Sequence, residues 1–328
     1  MIGKELYHKM HMEFQVLIHP DELSYEWIDR VISSGIDAIG IHPVGGYRAR
    51  ESLADLVERF KDNNFTDLID YASDNGIKIE YEMHAASYLM PRELFSSHPE
   101  YFRVDEAGNR NNDANFCVSN QEALQYVSNA AAILASGLYK SSERYYFWLD
   151  DVKNKKCMCE KCRNLSMSDQ QMIFINAALK EIQKSNRKAK MAYLAYFDCI
   201  TPPQKIKPVK GVFAEYAPMG KYVSETQTHK NSKINEESDI NNLFSVFSKS
   251  NSKVLEYWLD NSMFSNWTKP EKKFVPDNKM IKEDIEKYHS LGFEYISSFA
   301  CYLGPEYTKL HGQPDLSAFY EVVKSKKH

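Results

Sequence analysis

Acidic residues and histidines stand where the apolar runs of this sequence end. Asp150-Asp151 follows the run Tyr145–Leu149, Glu82 and His84 close the run Ile77–His84, and Glu215 lies in Gly211–Tyr216. Glu256 and Asp260 fall inside and just after Val254–Leu259, and His19, His42 and Asp198 occupy similar places. Carboxyl groups set side by side can divide acid–base work, because one stays protonated while its neighbour ionises. Glycosidic bond cleavage needs that division: a proton for the leaving oxygen and a negative charge beside a cationic transition state. The adjacent pair Asp150-Asp151 could supply both. An aspartate after a strand also serves as a helix cap or turn former, so the pair weighs more than either member alone. No Gly-x-Ser-x-Gly elbow, phosphate-binding loop or dinucleotide fingerprint offers a different chemistry.

Such residues work together only if the elements bring them to one place. Short apolar runs at 14–19, 38–42, 77–84, 145–149, 191–197, 211–216, 254–259 and 293–299 alternate with amphipathic segments. Helix stops fall at Gly35, Gly76 and Gly292, and helix starts are predicted at Ser119–Glu122 and Ser168–Gln171. Pro202-Pro203 predicts an irregular connection after the fifth run. Eight strand–helix units in alternation predict a single (β/α)8 barrel over residues 1–328, with long top-face insertions at about 86–118, 152–167 and 221–238. A doubly wound open sheet is the competing arrangement, but no glycine-rich turn follows the first run.

In a barrel the chemistry sits at the carboxyl ends of the strands. Strand alternation sets Glu256, Trp258 and Asp260 on one face, taken here as the mouth, and Leu255, Tyr257 and Leu259 on the other. Asp151 is therefore expected as general acid/base, Asp150 as an orienting carboxylate and Glu256 as a second catalytic carboxylate. His84, Tyr196, Glu215, Tyr216, Trp258 and Asp260 are expected to line the substrate cleft. A buried, hydrogen-bonded strand residue is the competing reading of His84, and core packing that of the tyrosines.

Composition narrows the class. The 328 residues are 43% hydrophobic and 13% aromatic, which excludes a disordered or collagen-like chain. With 41 Lys+Arg against 45 Asp+Glu there is no basic field for nucleic acid. No run of about 18 apolar residues could span a bilayer. The first residues lack the apolar stretch of a secretory signal, so a cytoplasmic protein is expected. Cys157-Met158-Cys159-Glu160-Lys161-Cys162 places three thiols in one short loop. That spacing suits a tetrahedral zinc half-site whose fourth ligand would be Cys117, with His84 or His42 as alternatives. With four cysteines the zinc would be closed and structural; the competing reading is three free thiols on a loop.

A wider pattern runs through these residues. His98-Pro99-Glu100-Tyr101-Phe102, Gly108 with Arg110, and Phe116-Cys117-Val118-Ser119-Asn120 lead into Asp151 and the cysteine loop with Arg163. Asn176, Tyr193-Leu194-Ala195-Tyr196 and Ile206-Lys207-Pro208 extend it. Over roughly residues 80 to 300 the chain resembles the bacterial domain of unknown function 4838, members of which founded glycoside hydrolase family 163, endo-β-N-acetylglucosaminidases acting on N-glycans. The resemblance implies a barrel, a retaining mechanism and an N-acetylglucosaminide substrate, with Asp151 and Glu256 at the positions of the family's acidic residues. Asp150-Asp151 also resembles the acidic pair ending strand four in N-acetylhexosaminidases that use the substrate's acetamido group as nucleophile. Here Val152-Lys153-Asn154-Lys155-Lys156 replaces the family's glycine run. The expectation is a hydrolase of β-linked N-acetylhexosaminides. A carbohydrate-binding barrel without turnover, or a zinc-dependent hydrolase using His84 or Glu82, are the alternatives. The oligomeric state is left open.

Overall fold

The computed structural model describes residues 12–223 and 235–327. Eight strands form a closed parallel barrel: β1 (Glu13–Ile18), β2 (Ala38–Ile41), β3 (Lys78–His84), β4 (Arg144–Trp148), β5 (Lys190–Ala195), β6 (Val212–Tyr216), β7 (Lys253–Glu256) and β8 (Tyr295–Phe299). Each strand pairs with its neighbours in sequence, and β1 closes the ring by pairing with both β2 and β8. Helices pack on the outside, so the fold is a (β/α)8 barrel and not an open doubly wound sheet. Among the described residues no helix is long and apolar enough to cross a membrane.

Local sequence explains the elements that matter for the site. The helix Tyr25–Ser34 starts where the Ser24 side chain accepts from the Trp27 amide, buries Trp27, Ile28 and Val31, and stops at Gly35 with φ +79°. The next helix to carry site loops, Gln121–Gly137, is capped by Asn120, whose side chain accepts from Ala123 N. The cap of Met167–Ile182 is Ser166, two residues before the predicted Ser168, and Asp169 completes its capping box.

One unit departs from strict alternation. Between β5 and β6 the chain makes only a short 3-10 turn, Phe197–Cys199, before Pro202-Pro203. Without a helix there, backbone amides need other acceptors. Asp169 Oδ1 accepts from the amides of Gln204 at 3.0 Å, Lys205 at 2.8 Å and Ile206 at 3.1 Å. The 86–118 insertion carries the helix Ala86–Leu89, two 3-10 turns and a small antiparallel pair, Arg103–Val104 with Arg110–Asn111. Most of the predicted 221–238 insertion lies outside the described residues.

Strand alternation fills the barrel interior. Leu17, Tyr146, Trp148, Ala192, Leu194, Phe213, Leu255, Tyr257 and Phe299 form one apolar cluster inside it. A polar layer lies with them. Lys253 Nζ bonds Glu82 Oε1 and reaches Gln15 Oε1 at 2.5 Å, with Glu215 Oε1 at 3.6 Å and Glu80 Oε2 at 3.7 Å. Tyr146 donates to Glu80 at 2.6 Å and accepts from Arg144 Nε at 2.9 Å. Only glycine fits at position 40, where a Cβ would come within 2.5 Å of Gln15 Nε2.

Candidate active site

The carboxyl ends of the strands open into a cavity of about 600 Å3, within the range of small-molecule sites. Asp151 and Asp260 are its carboxylates. Asp151, three residues beyond the end of β4, accepts from the Tyr196 hydroxyl at 3.2 Å. Asp260 is buried and caps the short helix Asn261–Phe264, its Oδ1 accepting from Ser262 Oγ at 2.5 Å and Ser262 N at 3.1 Å. Burial pushes the Asp260 carboxyl above its ordinary pKa, against the hydrogen bonds from Ser262 and Met263. Tyr257 lies within the electrostatic reach of both: burial raises its hydroxyl pKa first, and then Tyr196, Asp151 and Asp260.

Aromatic side chains make the walls. Tyr257 stacks on Phe299 with ring centroids 5.2 Å apart, and Trp148 forms the floor, its Nε1 donating downward to Glu215 Oε2 at 2.8 Å. Three histidines from consecutive strand ends complete one side. His19 Nδ1 meets the His42 carbonyl at 2.8 Å, His42 Nδ1 the Glu82 carbonyl at 2.7 Å and His84 Nδ1 the Leu149 carbonyl at 2.6 Å. A carbonyl can only accept, so each Nδ1 carries a proton, and in a neutral ring that leaves Nε2 as an acceptor. Burial, then the neighbouring His19 and His84, holds the His42 pKa well below the ordinary histidine value.

The expected site residues separate into two groups. Asp151, His84, Tyr196 and Asp260 line the cavity. Asp150 does not; its Oδ2 is taken by Arg92 Nη2 and the Asn115 amide at 2.6 Å, and it borders a narrower recess beside Phe197. Asn115 Oδ1 in turn accepts from Asp150 N at 3.0 Å, on a backbone with φ +49° that asparagine tolerates. The adjacent carboxylates therefore diverge: one anchors the 86–118 insertion, the other faces the cavity.

The face assignment on β7 is corrected. Lys253, Leu255 and Tyr257 point inward, whereas Glu256 and Trp258 point outward into the helix layer. Glu256 is fully buried there and accepts from Tyr222 Oη at 2.6 Å, from Tyr288 Oη at 2.5 Å and from Lys221 Nζ at 3.4 Å. Trp258 Nε1 donates to Asp284 at 2.9 Å, so its ring is no sugar platform. A carboxylate tolerates such a place when donors surround it, and that removes the reason for sending it to the mouth. Asp260 returns to the cavity because the strand ends at Glu256 and the chain turns. Tyr216 likewise packs in the outer core, and Glu215 lies inside the barrel but beneath the Trp148 floor.

The four cysteines do converge: the Sγ atoms of Cys117, Cys157, Cys159 and Cys162 all lie within 4.8 Å of one another. Among the described residues no other His, Cys, Asp or Glu group is so arranged. Glu82 is held by Lys253 and Gln15, so the ligand set imagined for a zinc-dependent hydrolase does not assemble. Trp148 and Tyr257, given no part in the cleft by the sequence reading, line the cavity, and His19 and His42, noted there as strand-end residues, join them. Trp148 ends β4 and Tyr257 directly follows β7, so strand-end position is the signal that could have found both.

Fold and cavity together define a (β/α)8 barrel with two carboxylates and aromatic walls at its carboxyl mouth. Residues 46–310 match the domain of unknown function DUF4838, and the chain belongs to that family. No curated protein matches it. Among solved structures it is similar to the cold-adapted β-galactosidase of Rahnella sp. R3, with TM-score 0.55, 11% identity, and coverage of 98% of this chain and 56% of that one. It is also similar to a glycoside hydrolase family 5 enzyme of Prevotella bryantii B14, with TM-score 0.51, 10% identity, and coverage of 94% and 87%. A third similar structure is the Thermobaculum terrenum O-GlcNAc hydrolase, with TM-score 0.53, 10% identity, and coverage of 96% and 59%. The chain thus spans little more than half the length of the first and third, and at these identities the likeness is one of fold.

Proposed function

We propose that the protein is a glycoside hydrolase acting on a β-linked N-acetylhexosaminide, with Asp151 as general acid/base. The observation that carries this reading is the placement of Asp151 and Asp260 in one aromatic-walled cavity, both within electrostatic reach of Tyr257. Asp151 is accessible and can pass a proton to a leaving oxygen and later take one from water. Asp150 is occupied by Arg92, so the orienting carboxylate moves to Asp260 in this reading. It would accept the acetamido N–H while the acetamido oxygen attacks the anomeric carbon, giving retention through a cyclic intermediate. The histidine ring nitrogens suit sugar hydroxyls, and Trp148 and Phe299 suit the apolar face of a pyranose. The family membership and the solved O-GlcNAc hydrolase of similar fold support the same substrate class.

The test is hydrolysis of a panel of N-acetylhexosaminides and N-glycans by wild type, Asp151→Asn and Asp260→Asn. Removing a general acid/base should lower kcat by about 10²–10⁴-fold. Asparagine caps a helix about as well as aspartate, so Asp260→Asn removes charge while leaving the local fold. Loss of turnover in both variants, with a retained anomer seen by NMR in wild type, supports the proposal. Wild type that binds these sugars and turns none over would overturn it in favour of a binding barrel.

A further inference from the structure

We infer that Cys117, Cys157, Cys159 and Cys162 form a closed structural zinc site, independent of the proposed hydrolysis. All six cysteines are free thiols, and Cys117 Sγ lies 3.7 Å from Cys159 Sγ. That is too long for a disulfide of about 2.05 Å. It matches the edge of about 3.8 Å that a tetrahedron with Zn–S bonds of about 2.3 Å requires. Packing four thiols so closely inside a protein offers no apolar or hydrogen-bonding gain that fewer would not give. One soft divalent cation accounts for all four.

The surroundings are built to hold the sulfurs in place. Gln170, buried on the helix Met167–Ile182, accepts from Cys157 N at 2.8 Å and donates to the carbonyls of Cys157 at 2.9 Å and Cys162 at 3.2 Å. The Cys159 carbonyl accepts from both Cys162 N and Arg163 N at 2.9 Å, closing the tight turn of the loop. Around the sulfurs, Val104 N donates to Cys157 Sγ at 3.4 Å, and Ser119 Oγ lies 3.3 Å from Cys159 Sγ and 3.4 Å from Cys117 Sγ. Such N–H and O–H contacts spread the charge of bound thiolates. Cys117, Cys157 and Cys162 are buried and Cys159 is half-buried, so no position is left for water or substrate. Binding displaces the thiol protons and forms four Zn–S bonds, with no change of oxidation state.

The site joins two loops that also meet through hydrogen bonds and the ion pairs Arg92–Asp150 and Lys155–Asp113. Cys117 belongs to the 86–118 insertion, and the other three follow Asp151 on the β4 loop. The metal is therefore a clamp on the segment that positions Asp151, and it takes no part in bond cleavage.

The experiment is metal analysis of the full chain purified without chelator. One zinc per chain is expected, released stoichiometrically when a mercurial blocks the thiols. Cobalt exchange should give a thiolate-to-cobalt band in the near ultraviolet and the d–d envelope of tetrahedral coordination. Cys159→Ser should lose the metal, whereas Cys301→Ser, at a buried cysteine elsewhere, should keep it. The wild-type cobalt spectrum decides the matter if the serine variant does not fold. Metal-free protein with four titratable thiols, a pair of disulfides by mass spectrometry, or iron in place of zinc would each overturn the assignment. None of these readouts depends on turnover, so failure here is distinct from failure of the hydrolase reading.

Discussion

Glu256 and Asp151 show how little a residue type says until its partners are known. Glu256 sits in a socket of two tyrosine hydroxyls and Lys221, sealed from the cavity by the strand itself. Its carboxyl pKa is raised by burial and pulled back by Lys221. Truncation would leave the Tyr222 hydroxyl without its acceptor, whereas Lys221 keeps Asp284 and Tyr288 keeps Glu236. Glu256→Ala is expected to cost about 1–3 kcal/mol of folding free energy, read by urea denaturation, while kcat per folded molecule stays unchanged. A selective loss of kcat with unaltered stability would return Glu256 to the catalytic machinery. Arg92 makes a similar point from the opposite side, since it converts Asp150 from a candidate acid into an anchor. In Arg92→Ala that anchor is lost, and limited proteolysis within residues 86–118 should become faster than in wild type.

At the scale of elements, strand β2 is tightly packed at Gly40. Gly40 leaves room for the Gln15 and Leu17 side chains of neighbouring β1, so Gly40→Ala is expected to destabilise by about 1–3 kcal/mol through overpacking. The midpoint of thermal unfolding should fall accordingly. The existence and order of the eight strands were legible because parallel barrel strands read as apolar runs separated by helical periods. The cysteine set was legible because metal-ligand spacing is a property of the chain, and Cys117 lies on an insertion facing the loop. What was not legible was the face of β7. Its alternation has two phases, and a start at Lys253 reverses the one inferred from the mixed set Glu256, Trp258 and Asp260. A lysine in the middle of a barrel is unexpected on composition alone, yet Glu82, Gln15 and Glu215 make it possible. The divergence of Asp150 from Asp151 was hidden too, because it depends on Arg92 and Asn115 from a distant segment.

For the whole molecule, closure depends on groups that join the first and last strands. Glu22, just after β1, accepts from His19 N at 3.0 Å, Leu303 N at 3.0 Å and Gly304 N at 3.2 Å, the last two beyond β8. Burial raises its pKa from 4.5 to about 7, against the His19 charge and amide. The folded state thus holds a proton that the unfolded chain has released between those values. Stability from this group is present below about pH 4.5 and lost as pH rises to about 7, a change on the order of 3 kcal/mol. Comparison of Glu22→Gln with wild type in urea across that window should show a flatter pH dependence in the variant. The interior layer extends the idea from one seam to the full ring. Three carboxyl groups, Glu80, Glu82 and Glu215, face two cations, Arg144 and Lys253, and burial together with mutual repulsion raises both Glu82 and Glu215, Glu215 far above its ordinary value. One retained proton balances the set. Gln15, Glu80, Glu82 and Arg144 come from the first four strands, whereas Glu215 and Lys253 come from the last four. A half-barrel of either kind would bury charges whose counterparts lie on the missing half, so neither half can serve as a stable stepping-stone. The chain must gather both before either becomes dry, which makes its folding a single concerted closure, and two fragments cut between β4 and β5 should acquire structure only when mixed.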